Sequence, residues 1–171
     1  MQPIGFARSD VAVYAETSAT LRKIGDLPDG YCTAGIVLPP LWEGPDLVHE
    51  LNSLFGGTFE DKPFRPETGA RSFYFCGDRA SEAHALCDAL RDGWFHRNET
   101  VDDVVLTVGE TGDSLTEFVD DLLLIGPGTA AKYMDNLKYI VVIVPEDQTL
   151  ASVRKEVARS QKSMREGREA Q

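Results

Sequence analysis

The chain has no apolar run approaching the ~20 residues a membrane-spanning helix needs, and its N-terminus lacks the basic-then-apolar pattern of a secretion signal. Those absences point to a protein made and kept in the cytoplasm, either the cell's own or that of a virus-infected cell. Cysteine is scarce: Cys32, Cys76 and Cys87 carry no C-x-x-C spacing. An odd count without paired spacing argues against a disulfide framework and a zinc knuckle. All three are therefore expected as reduced thiols in the core, where cysteine is commonly a small hydrophobe. His49, His84 and His96 show no metal-ligand spacing. There is no G-x-G-x-x-G, Walker loop, nucleophile elbow or H-E-x-x-H. No cofactor is implied, catalytic residues cannot be assigned by motif, and the balance leans away from an enzyme.

Positive charge is the other shortage. The net charge is −11. Residues 151–171 carry six basic and three acidic residues, so residues 1–150 hold −14. Between Arg97 and Lys132 no Lys or Arg occurs, while Glu99, Asp102, Asp103, Glu110, Asp113, Glu117, Asp120 and Asp121 do. Direct nucleic-acid binding by such a body is disfavoured, because phosphate contacts need cations. The acidic stretch is read three ways: a solvated face that aids solubility, a contact surface for a basic protein, or a divalent-metal site.

What is present is an alternation of strand and helix signals. Asp10–Glu16 alternates as a strand, and residues 17–24 extend it or turn into helix. Tyr31–Leu38 is a strand stopped by Pro39-Pro40. Asp46 caps a helix with the stripe Leu47, Val48, Leu51, Leu54 and Phe55, ended by Gly56-Gly57. Thr58–Asp61 reads as a short edge strand and Arg71–Cys76 as an aromatic-rich strand. Asp78 or Ser81 then caps a helix striped by Ala83, Leu86, Cys87, Leu90 and Trp94. Asp103–Val108 is the next strand. Ser114-Leu115-Thr116-Glu117 fits a capping box ahead of Leu115, Phe118, Val119, Leu122 and Leu123. Lys138–Val144 is the strongest strand, apolar on both faces, and Thr149 is expected to cap a final helix.

A β-α-β-β-α-β order over about residues 31–110 is the ferredoxin-like plan, extended by an N-terminal strand and a C-terminal helix-strand-helix. The expected fold class is thus α+β, with one globular domain over 1–150 and a polar, basic C-terminal helix over 151–171. Residues from about Ser160 onward are expected to be exposed. A rival reading takes 71–95, 103–125 and 138–165 as strand–helix units and adds Asp10–Ile24 and Tyr31–Phe55, five units of a Rossmann-like α/β fold with a parallel sheet. Strands apolar on both faces also call for cover on both sides.

The functional expectation is a small acidic protein acting through protein contacts, as regulator, inhibitor or assembly component. Its partner would be a protein with a basic surface, or a second copy. Asp102, Asp103, Glu117, Asp120 and Asp121 would form the contact surface. The alternative is a small metal-assisted hydrolase or nucleotide-processing enzyme using Glu110 and Asp113, with Asp78, around the 109–114 loop, where a helix N-terminus can face an anion bridged by a divalent cation. Cys76 and His84 would form a thiol–base pair only if the intervening turn joined them.

Overall fold

The computed structural model describes residues 2–7, 11–17, 30–39, 68–97, 106–110, 114–124 and 137–169. Six strands lie among them: β1 (Gly5–Phe6), β2 (Ala12–Thr17), β3 (Gly30–Val37), β4 (Thr68–Cys76), β5 (Leu106–Glu110) and β6 (Leu137–Val144). Three helices accompany them: α1 (Ala80–Arg97), α2 (Leu115–Leu124) and α3 (Asp147–Glu169). The strands form one mixed sheet in the order β1-β2-β6-β3-β4-β5. Only β1 runs antiparallel to its neighbour; every other pairing is parallel.

That topology corrects the ferredoxin-like expectation. A strand has two edges, and both edges of β4 are taken by parallel neighbours, β3 and β5. The expected edge strand Thr58–Asp61 lies outside the described residues. Three of the five strand–helix units of the rival reading correspond to β4–α1, β5–α2 and β6–α3; of Asp10–Ile24 and Tyr31–Phe55 the described residues hold the strands β2 and β3. The strand order nevertheless departs from the Rossmann order, because β6 returns to insert between β2 and β3.

β6 is the centre of the sheet, and its sequence explains why. From Tyr139 to Val144 every side chain is buried, the pattern of a parallel strand covered on both faces. Ile140, Val142 and Val144 join Val13, Ala15, Tyr74 and Cys76 in a cluster packed against Phe118, Val119, Leu122 and Leu123 of α2 and Leu150, Val153 and Val157 of α3. Tyr139, Val141 and Ile143 alternate to the opposite face, where Tyr139 meets Tyr14 edge-on with ring centroids 5.8 Å apart. α1 packs on β4 and β5. The crossover β4–α1–β5 steps away from β3, whereas β5–α2–β6 steps back. Right-handed crossovers in opposite directions put their helices on opposite faces, and the buried Ala83 and Cys87 of α1 accordingly lie outside the α2–α3 cluster.

Helix starts differ in detail from expectation. Ser114 caps α2 as its capping box foretells, its Oγ accepting the Glu117 N–H at 3.4 Å and its carbonyl the Phe118 N–H at 3.0 Å. α1 begins one position after Arg79, whose carbonyl accepts from Ala83 at 3.1 Å. Asp78 and Ser81 flank the capping position rather than fill it. α3 starts two residues before Thr149, with the Glu146 carbonyl accepting from Leu150 at 3.0 Å. At its far end, Ser160 is buried, Met164 packs on the core cluster, and Gln161 Nε2 donates to the Phe6 carbonyl at 2.7 Å. The expectation that residues beyond Ser160 are exposed therefore fails for Ser160 itself, since a narrow stripe is enough where a long helix lies across an edge hairpin. Cys32, Cys76 and Cys87 are buried in the core, and none of them is in a disulfide. No helix among the described residues is long and apolar enough to cross a membrane.

Candidate functional site

In a parallel sheet all strands deliver their chains to one edge, and the loops there can meet although their residues are far apart in sequence. Here β3 ends at Val37, β4 at Cys76 and β6 at Val144. The backbone joins the first two: Leu38 N–H donates to the Cys76 carbonyl at 2.9 Å. Gly77 then turns the chain toward α1 with φ of +125°, and a Cβ there would stand 3.4 Å from Leu38, so this turn favours glycine. β4 leads to α1 on one face, while β6, the other neighbour of β3, leads to α3 on the opposite face. Open α/β sheets form ligand crevices outside the carboxyl ends of strands at such divergences.

A cleft of about 410 Å³ occupies that place. Its floor is Val37, Cys76 and Gly77; Leu115 at the start of α2 forms one wall, and Glu146, Gln148, Thr149 and Ser152 at the start of α3 form the other. Cys76 is buried and Leu115 and Thr149 are half-buried, whereas Glu146, Gln148 and Ser152 reach solvent. Ser152 Oγ donates to the Gln148 carbonyl at 3.2 Å, so its lone pairs remain for a donor. The cleft falls at the low end of the size range of small-molecule sites.

The anticipated site residues are placed differently. Asp102, Asp103 and Asp113 lie outside the described residues. Asp78 is exposed in the turn after β4, and Glu110 pairs with Phe75 through the backbone at the end of β5. Both belong to the same sheet edge as the cleft. β5 continues through Glu110, two residues past the expected end of that strand, so the 109–114 loop is shorter than expected. Among the described residues no group of three His, Cys, Asp or Glu stands close enough to hold a metal ion. Cys76 belongs to the cluster under α2 and α3, whereas His84 sits on α1 across the sheet, 3.6 Å from Asp88. That separation removes the thiol–base pair.

On α2, Glu117 is exposed and Asp120 and Asp121 are half-buried. Asp120 accepts from Arg159 of α3 at 2.8 Å, and Arg159 also donates to Glu156 at 2.6 Å, which in turn accepts from Thr116 at 3.1 Å. Burial pushes the Asp120 carboxyl up, but hydrogen bonds from Arg159 and Ser160 and the guanidinium charge outweigh it and hold the group below its ordinary range. Glu156 is lowered chiefly by its bond from Arg159, against a smaller desolvation cost. The acidic row is thus interrupted at Asp120 by a cation from the basic helix.

Sequence reasoning missed Val37, Leu115, Glu146, Gln148, Thr149 and Ser152 as a group. None belongs to a catalytic motif. The one signal available was positional: in the parallel reading, each strand end followed by a helix start marks the carboxyl edge. No family model, no curated protein and no solved structure matches the chain.

Proposed function

We propose that this protein binds a small molecule in the cleft at the carboxyl edge of its parallel sheet. The observation that carries the reading is the coincidence of cavity and topology: the cleft sits over the ends of β3 and β4, between the starts of two helices, where the chain diverges to both faces. Apolar floor and polar wall supply the mix of buried area and orienting groups that small-molecule sites use. Three buried cysteines outside any disulfide suit a reducing cytoplasm. Contact with a basic protein partner, the expectation from composition, would use the acidic face of α2. Among its described residues, Asp120 is engaged by Arg159, and Glu117 and Asp121 lie on α2, which ends at the exposed Leu124.

The test is a plugged variant. Ser152→Trp places an indole at the mouth of the cleft on an exposed helical position, where the fold tolerates it. Small-molecule fragments that raise the Tm of the wild-type protein should lose that effect in the variant, with circular dichroism unchanged. Fragments that stabilise both proteins equally would place binding elsewhere and end this reading.

A further inference from the structure

We infer that this protein pairs with a second copy of itself through the outer faces of α2 and α3, each copy's basic α3 lying on the other's acidic α2. The two helices are neighbours on one face of the sheet and bury their inner stripes there. Their outer stripes carry opposite charge. On α3, Arg154, Lys155, Lys162 and Arg165 are exposed. Lys162 stands 3.7 Å from Glu166 in an exposed pair, whereas the side chains of Arg154, Lys155 and Arg165 have no ion-pair or hydrogen-bond partner among the described residues. Cations left unmatched are unexpected in a chain with 28 acidic residues against 17 basic ones. On α2, the carboxylates of Glu117 and Asp121 have no such partner either, and Leu124, one turn on, is 61% exposed. The stretch 98–131, which contains α2, holds no Lys or Arg at all.

The register of the two helices matches these rows. Thr116 reaches Glu156 and Asp120 reaches Arg159, so α2 and α3 run in the same direction at a fixed level. Glu117 accordingly stands within about two residues of the level of Lys155, and Asp121 of that of Lys162, roughly 3 Å of rise each. A twofold axis laid along the groove between the helices keeps those levels, because rotation about an axis does not shift along it. It also sets each α2 opposite the other copy's α3. Lys155 then meets the second copy's Glu117 and Lys162 its Asp121, while Leu124 lies on the aliphatic stem of a lysine. Every contact occurs twice, as in the cyclic dimers commonest among soluble assemblies. Laying α3 on α3 would oppose like charges instead. The opposing effect is the −11 that each copy carries. That charge is spread over the molecule, and at about 0.15 M salt it is screened beyond ~8 Å, whereas charges in contact are screened far less. The 10 residues of α2 limit the overlap to about 15 Å of helix length, so the interface is small and the dimer depends on concentration.

Sedimentation equilibrium of the full chain, from micromolar to submillimolar concentration at about 0.15 M salt, tests this. The average mass should rise from that of one chain toward that of two, and fall back at about 1 M salt, where screening reaches in to ~3 Å. Lys155→Glu with Lys162→Glu should hold the chain monomeric, and so should Glu117→Lys with Asp121→Lys, each with an unchanged circular dichroism spectrum. Mixed in equal amounts, the two double variants should dimerise again, because both contacts of the mixed pair then join opposite charges. A wild-type chain that stays monomeric, or a dimer that salt does not weaken, overturns the inference without any variant. A dimer that neither double variant weakens lies on another surface. One that both weaken and the mixture does not restore is not built by crossing α2 with α3, and either result overturns the inference too.

Discussion

Gly35 shows how tightly single residues are held in this protein. It sits on the β3 face that α2 crosses, and a Cβ built there would lie 2.7 Å from Leu122 and 2.8 Å from Phe118. Both neighbours are buried and cannot swing away. The helix therefore rests directly on the strand backbone, which brings Leu115 down to the cleft. Gly35→Ala should destabilise the protein by about 1–3 kcal/mol through overpacking, read as a lower midpoint in urea with little change in slope. A neutral or stabilising result would mean that α2 does not lie against β3. A buried hydrogen bond reinforces the same region: Thr33 and Ser72 are register partners on β3 and β4, and their hydroxyls meet at 2.8 Å. Each satisfies the other where water does not reach, so the pair is tolerated in an otherwise apolar layer.

At the scale of elements, the contact between α2 and α3 joins an acidic helix to a basic one. Arg159 bridges Asp120 and Glu156, and both carboxyls are held below their ordinary values. A depressed carboxyl contributes stability that is fully present above its unfolded pKa and is lost as pH falls through the folded value. Arg159→Ala should therefore lower the Tm at neutral pH, by at most a few degrees because the pair is largely solvent-exposed. The gap from wild type should close as the pH drops below the ordinary carboxylate range near ~4. A gap that persists in acid would assign the loss to packing of the arginine stem. The elements themselves were largely legible in the sequence. The stripe Phe118, Val119, Leu122 and Leu123 and the doubly apolar β6 are buried as their spacing requires. Helix starts were read less well: at α3 the carbonyl of Glu146, not the hydroxyl of Thr149, opens the helix, and a backbone acceptor leaves no mark on residue type.

At the scale of the whole molecule, the order of the strands was the least legible feature. A strand's side chains declare its faces, but its neighbours are chosen through backbone groups that every residue carries. Arg71–Cys76 was read correctly as a strand, but its second neighbour is the parallel β5 and not the antiparallel strand that the ferredoxin-like plan calls for. The cleft was hidden for the same reason: its floor and walls come from residues 37 to 152, and it exists only once β3, β4 and β6 lie side by side. The acidic stretch, by contrast, was conspicuous in the sequence, yet Arg159 from the far end of the chain meets it at Asp120. The account rests on that carboxyl-edge cleft being where the protein meets its ligand. The most direct measurement is amide NMR shift mapping of the full chain against a small fragment library. Saturable shifts concentrated at Gly77, Leu115, Thr149 and Ser152 are the predicted result. Shifts concentrated instead on the outward turns of α3, around Lys155 and Lys162, would contradict it.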